Sequence, residues 1–310
     1  MARWAARPVH GVLLLDKPRG LTSQQAMQRA RAALRAAKAG HTGTLDPLAD
    51  GLLPLCFGAA TKFAQVQLDA DKAYVAQLQL GQTTSTDDGE GEVLERGAVP
   101  VLDEAALRPV LDRFVGRIAQ VPPLYSALKR EGRPLYAYAR AGQTLEVAPR
   151  EVRIDAIDVV AIDGDRLTLA VRCGKGTYIR ALARDIGREL GCGAHLAALR
   201  RTASGGYDVA QSIALDTLVA PDADADAAAT RLLPVDSLLS ALPRLDLDPA
   251  QADGLLQGRR LRLTPATPPA AGAVRVYRAG EPPIFLGVGD WDGQVLAPQR
   301  LLSDEELRSQ

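Results

Sequence analysis

One stretch, Gly40-His41-Thr42-Gly43-Thr44-Leu45-Asp46-Pro47-Leu48-Ala49-Asp50-Gly51-Leu52-Leu53-Pro54, gathers the residue types that chemistry needs: an imidazole and two carboxyls among five glycine and proline residues. Glycine at this density costs conformational entropy, and it is kept where the backbone takes unusual dihedrals or lets a ligand approach closely. Residues 40–54 therefore read as a loop held in one shape for function. Asp46 and Asp50 could each serve as base or nucleophile. Each is equally suited to hydrogen-bonding its own backbone in a turn, and spacing does not choose between them. His41 is either a stacking ring or a loop imidazole bonded to backbone.

Elements on both sides must position these groups. Residues 12–15 read as a short buried strand, Lys17-Pro18-Arg19-Gly20 as a turn, and Thr22 or Ser23 as the cap of a helix predicted to run to about residue 38. Residues 74–80 alternate like a half-buried strand, 83–91 form a polar acidic turn, and 103–115 have helical spacing. The text from 120 to 153 is irregular, and an insertion over about residues 122–152 is predicted to project from a sheet as a thumb. Its bases Lys129, Arg130, Arg133 and Arg140, interleaved with Tyr125, Tyr136 and Tyr138, suit RNA contact. Alternating strands resume at 152–160 and 166–173, and residues 178–190 form a helix stopped by Gly191. Residues 221–229 read as a low-complexity surface loop. A short helix to residue 256 and strands at 274–277 and 284–288 suggest a β-rich module of about 60 residues, too small to stand without its neighbour.

The formal net charge is zero, which by itself speaks against a nucleic-acid partner. The distribution speaks for one. Residues 1–46 hold eight Lys/Arg against two acids, and 172–201 hold seven against two, while acids gather in 69–95 and 208–248. Such segregation permits a basic face on a neutral protein. Cys56, Cys173 and Cys192 form no C-x-x-C pair, which argues against a disulfide framework or a zinc ribbon and leaves small buried thiols. No apolar run approaches the roughly 20 residues of a membrane span, and residues 1–9 lack the apolar centre of a signal peptide, so a cytoplasmic protein is expected. A zinc base deaminase needs H-x-E and P-C-x-x-C, and neither occurs. Gly174-Lys175-Gly176 has neither P-loop nor dinucleotide spacing.

Residues 40–54 closely resemble the central loop of the TruB family of tRNA pseudouridine synthases. Further motifs of that family follow in order: Asp16-Lys17-Pro18-Arg19-Gly20-Leu21-Thr22-Ser23; Lys72 and Tyr74, then Leu80-Gly81 with Thr84, Thr86, Asp87, Gly89 and Gly91; Pro122-Pro123 with Tyr125-Ser126-Ala127-Leu128-Lys129; Gly174-Lys175-Gly176-Thr177-Tyr178-Ile179-Arg180; and Leu199-Arg200-Arg201-Thr202. The resemblance implies an α/β (α+β) fold: a mixed, mainly antiparallel sheet flanked by helices in a catalytic domain of residues 1–243, with a PUA-like RNA-binding domain at 244–310. It implies an isomerase that turns a T-loop uridine of tRNA, at position 55, into pseudouridine after flipping the base outward. Asp46 would be the catalytic carboxylate, attacking the sugar carbon or removing a sugar proton, and Arg180 its counter-ion. Tyr74 would stack on the flipped base and take part in proton removal. His41 would fill the gap the base leaves, Lys17 would support the active-site loops, Tyr178 and Leu199 would line the pocket, and Lys129 and Arg130 would meet phosphates. The same resemblance implies no cofactor or metal, no obligate protein partner, and a monomer.

Overall fold

The computed structural model describes residues 6–309 except 127, 131, 142 and 144, and describes no side chain at 129, 130, 134, 136, 139 or 140. Successive side chains of a strand point to opposite faces, and strand Gly11–Lys17 divides its apolar residues accordingly. Leu13 and Leu15 join one core, Val12 and Leu14 another. A sheet apolar on both faces needs cover on both. Helices Ser23–Ala33 and Ile179–Glu189 supply it on one side through Ala26, Met27, Ala30, Leu182, Ala183 and Ile186. On the other side Phe63 and Leu238 pack with Tyr277, Phe285 and Val288 of the C-terminal domain.

Among the described residues the large sheet has ten strands. Its path runs Ile213–Ala214, Gly11–Lys17, Ala49–Phe57, Ala194–Ser204, Lys72–Leu80, Arg166–Cys173, Arg150–Asp163 and Gly116–Gln120, with Ala39–His41 paired to Ala49–Phe57 and Tyr207–Asp208 to Ala194–Ser204. Two pairings are parallel, Gly11–Lys17 with Ile213–Ala214 and Ala49–Phe57 with Ala194–Ser204; the others are antiparallel. Strands Arg244–Leu247, Leu261–Arg262, Gly272–Arg278, Ile284–Trp291 and Val295–Leu301 form a separate five-stranded sheet at the C-terminal end. Beyond the shared apolar cluster, Lys62 pairs with Glu306, and Arg300 donates to the Lys62 carbonyl at 2.8 Å. No helix among the described residues is long and apolar enough to cross a membrane. The three thiols are buried; burial pushes Cys56 up to about 12 and Cys173 up to about 11, so both remain protonated core groups.

The structure departs from the sequence expectations in several places; the insertion expected over about 122–152 ends earlier, because strand Arg150–Asp163 already pairs with Gly116–Gln120. The first helix stops at Ala33 rather than near residue 38. Arg35 takes a φ of 53°, its N–H reaches the Ala32 carbonyl, and the Ala36 N–H reaches that of Arg31. That is the helix-ending pair of bonds usually built around glycine. Residues 40–54 are not one loop, because strand Ala39–His41 precedes and strand Ala49–Phe57 follows a short irregular stretch, 42–48. Gly51 lies inside the second strand with a φ of +99°, and a Cβ there would fall 2.4 Å from the Arg201 carbonyl oxygen. It is glycine because a neighbouring backbone passes that close. Within 221–229, expected to be loop, Ala225–Ala229 makes a short helix capped by Asp224.

Candidate active site

The 42–48 loop crosses one end of the large sheet and is fastened at several points. Thr42 donates to the Pro54 carbonyl from both its N–H and its hydroxyl, each at 3.2 Å. The Ser23 hydroxyl, in the first turn of its helix, accepts from the Leu45 N–H at 2.8 Å and donates to the Leu45 carbonyl at 3.1 Å. The Gly20 N–H reaches the Pro47 carbonyl at 2.7 Å, and Leu45 and Leu48 are anchored in the core. A loop whose backbone groups are satisfied this fully holds its side chains in fixed directions.

Asp46 projects from this loop with 39% of its side chain accessible. Its Oδ2 lies 2.9 Å from the Nε of Arg180, a side chain only 6% exposed. The other nitrogens of Arg180 are engaged too: Nη1 donates to the Thr86 carbonyl at 3.2 Å and lies 3.6 Å from Asp88 Oδ2, and Nη2 donates to the Tyr125 carbonyl at 2.9 Å. The sequence reading pictured a buried acid steadied by an arginine. In the structure the arginine is the buried member, and the acid is the more accessible one. Burial by its surroundings still raises the Asp46 pKa; Arg180 opposes that shift, and Asp88 adds to it.

Lys17 is fully buried, and its Nζ donates to the Pro18 and Leu21 carbonyls at 2.9 and 2.7 Å. Burial lowers its pKa to about 8, with Asp50 and Asp46 acting the other way. His41, at the end of its strand, has its pKa lowered chiefly by burial. Tyr74 sits opposite Val171 and Arg201 in the sheet; burial raises its phenol, and the nearby Arg201 guanidinium lowers it. Tyr178 caps the helix Ile179–Glu189 and is half-buried; its phenol is raised by burial, and Arg180 and Asp46 both act on it. Leu199 is 8% exposed, packed in the main core beside Ala49 and Ala76. Asp50 is turned to Arg200 at 2.7 Å, which also holds Asp16 at 2.8 Å. The Lys129, Arg130 and Arg140 side chains lie outside the described residues. Arg133 stacks over the Tyr138 ring at 4.7 Å, within the insertion itself.

A buried arginine is bonded to an accessible carboxyl on a pinned loop, and the comparisons with known proteins name the chemistry. A family profile described as "TruB family pseudouridylate synthase (N terminal domain)" matches residues 31–179; "tRNA pseudouridylate synthase B C-terminal domain" matches 180–240, and "Pseudouridine synthase II TruB, C-terminal" matches 243–302. The chain is 52% identical over 302 residues to the tRNA pseudouridine synthase B of Azoarcus sp. (strain BH72), covering 96% of this chain and 97% of that protein. It is 55% identical over 307 residues to the protein of the same name from Ralstonia nicotianae, covering 97% and 96%. The chain belongs to the TruB family of pseudouridine synthases. It also resembles a solved structure described as "Crystal Structure of a Cbf5-Nop10-Gar1 Complex", with a TM-score of 0.72 and 26% identity over 98% of this chain and 91% of that one.

Membership of the TruB family makes this chain a pseudouridine synthase, an isomerase, and the geometry adds two residues that sequence reasoning did not assign. Asp88 is 4% exposed and is held by the Thr86 hydroxyl and the Glu90 N–H on its Oδ1, leaving Oδ2 toward Arg180. Arg201 is 1% exposed, donates from Nε to the Leu52 carbonyl at 2.6 Å, and adjoins Tyr74 and Gly43. Both stand inside motifs of the TruB resemblance. Asp88 was masked by Asp87 next to it, and Arg201 by Arg200. In each pair only the side chain's direction separates the two: Asp87 turns to Arg184 and Asp88 to Arg180, while Arg200 turns to Asp16 and Asp50 and Arg201 to the Leu52 carbonyl.

Proposed function

We propose that this protein converts the T-loop uridine at position 55 of tRNA to pseudouridine, with Asp46 as the catalytic carboxylate and the target base flipped out of its stack. The observation that carries the reading is the 2.9 Å bond from buried Arg180 to the accessible Asp46 carboxyl. It is supported by the relatives' printed name, tRNA pseudouridine synthase B. The reaction detaches uracil from the ribose anomeric carbon, rotates it and rejoins it through carbon. Every atom and electron is retained, so the isomerisation balances without a cofactor. Whether Asp46 adds to the anomeric carbon or removes a sugar proton to give a glycal, the ionised carboxylate is the reactive form. Arg180 favours that form against the desolvation that raises the Asp46 pKa.

The raised pKa of Tyr74 suits a neutral phenol stacking on the flipped uracil better than a phenolate base. The lowered pKa of His41 favours a neutral ring, which can take the place the base vacates. Lys17 supports the neighbouring loops through the Pro18 and Leu21 carbonyls, Tyr178 and Leu199 line the pocket, and the insertion contributes Lys129 and Arg130 to the phosphates. The catalytic domain spans residues 1–243. Residues 244–310 act as a PUA-like tRNA-binding module, and the protein works in the cytoplasm as a monomer without an obligate protein partner.

The test is Asp46→Asn, which keeps the shape of the side chain and removes its charge. Pseudouridine formation in a T-loop stem-loop is expected to vanish while tRNA affinity is retained. Product at the wild-type rate from the variant would remove Asp46 from the mechanism.

A further inference from the structure

Gln120 ends the strand Gly116–Gln120, at the point where the chain leaves the large sheet for an insertion that returns to it at Arg150, paired with Gln120. Its side chain is 2% exposed, yet nothing in the proposed reaction uses it. Both ends of its amide are spent on one residue far away in sequence: Nε2 donates to the Tyr178 carbonyl at 3.1 Å, and Oε1 accepts from the Tyr178 N–H at 2.9 Å. Tyr178 is the N-cap of helix Ile179–Glu189, and no side-chain cap of its own satisfies that terminus. The same carbonyl accepts the Leu182 N–H at 3.0 Å. The amide therefore fixes the peptide from which the helix starts, two residues before Arg180.

Two further bonds tie the same segment to the same helix. The Arg180 Nη2 donates to the Tyr125 carbonyl at 2.9 Å, and the Arg184 Nη2 donates to the Val121 carbonyl at 3.0 Å. Residues 120, 121 and 125 thus grip residues 178, 184 and 180. Of these bonds, only those of Gln120 are made by a side chain on the insertion side, and only they hold backbone on the helix side. A backbone anchor sets where the Arg180 side chain begins, and an arginine so fully engaged cannot adjust without breaking other bonds.

We propose that Gln120 is a positioning residue for the isomerisation, acting through the Tyr178 peptide to hold Arg180 against Asp46 and so joining the root of the insertion to the reactive carboxyl. This rests on the reading of Asp46 and Arg180 above. The groups that act on Asp46 are Arg180, Asp88 and Lys17; Gln120 bears on the first of them without changing the charge of the site.

The experiment compares Gln120→Met, which keeps length and removes both bonds, with the wild-type full chain on a T-loop stem-loop. Single-turnover rate is followed against pH, with stem-loop affinity and thermal unfolding measured alongside. The expected result is unchanged affinity, a rate lowered about tenfold or more, and an acid limb moved to higher pH, because a loosened Arg180 no longer holds the Asp46 pKa down. A merely structural role would lower the melting temperature and leave the rate per folded molecule and the acid limb unmoved; that result would overturn the proposal. If Gln120→Met loses its fold, Gln120→Asn, which keeps the amide but shortens its reach, replaces it with the same two outcomes. Wild-type protein that forms no pseudouridine would instead overturn the reading of the function.

Discussion

Replacing Arg180 by methionine tests the electrostatic core of the site. The substitution keeps much of the apolar stem and removes a guanidinium whose Nε lies 2.9 Å from Asp46. With charge centres about 4 Å apart and an effective dielectric of about 20, the attraction is about 4 kcal/mol. Asp46 is 39% accessible, so solvent screens part of this and only a fraction of that figure is felt by the carboxyl. The direction follows from the other influences: burial raises the Asp46 pKa and Asp88 raises it further, while Arg180 pulls it down. Without Arg180 the carboxyl titrates at higher pH. Because the proposed reaction uses the ionised form, activity is lost as pH falls through that pKa, so the acid limb of the single-turnover profile moves to higher pH. The Thr86 and Tyr125 carbonyls also lose their donors, so thermal unfolding must accompany the assay to normalise the rate to folded protein. An acid limb that stays in place, with a rate close to wild type, would refute the assignment of Arg180 as the counter-ion of Asp46.

Asp50→Asn is expected to keep wild-type pseudouridine formation and to lose at most about 1 kcal/mol in urea unfolding, because its partner Arg200 is 42% exposed and still holds Asp16; a dead variant would mean that the wrong aspartate has been chosen. Lys17 gives a stability prediction with a defined sign. Its pKa falls from 10.5 to about 8 on folding, so the unfolded chain binds more protons between those values and wild-type stability rises with pH across that window, by at most about 3 kcal/mol. Lys17→Met should flatten this slope while leaving the Pro18 and Leu21 carbonyls unpaired, and equal slopes in urea titrations at both ends of the window would contradict it. Replacing the exposed Arg259, Arg260 and Arg262 by glutamine should weaken tRNA binding and reduce its salt dependence, by up to about one unit of slope for each phosphate an arginine no longer neutralises. An unchanged slope would take the C-terminal module off the tRNA.

Much of this was legible in the sequence, for reasons that can be named. The continuous apolar run at residues 12–15 and the alternation at 74–80 report burial on sheet faces directly, and both are strands. Residues from several of the motifs, Gly20, Ser23, Arg180 and Arg201 among them, bond to or adjoin the 42–48 loop. What sequence did not reveal was contact across distance. Gly51 looked like one more loop glycine, because the strand that crowds it lies some 150 positions away, at Arg201. Asp87 and Asp88 are chemically alike, and only the fold turns the first to Arg184 at 3.0 Å and the second to Arg180. Arg35 ends a helix in a conformation that glycine would have announced and arginine does not.

The division of burial between Asp46 and Arg180 matters more than their distance. An acid buried before substrate arrived would favour its protonated form and would be out of reach of a ribose. A surface arginine would give up its grip to water and salt. Here the cation is the fixed member: four oxygens, from the Thr86 and Tyr125 carbonyls and from Asp46 and Asp88, surround one guanidinium that is 6% exposed. Its orientation is thus set by partners other than Asp46, and the acid can stay open without losing its counter-ion. On the proposed reading, a nucleotide that covers Asp46 and strips water from the carboxyl finds the compensating charge already in place, with no need to reorganise, which is the condition under which a fixed charge is most effective. This explains why so much of the surrounding sequence serves to hold an arginine. Asp88 takes one nitrogen, the root of the insertion another, and Gln120 the peptide from which its helix begins.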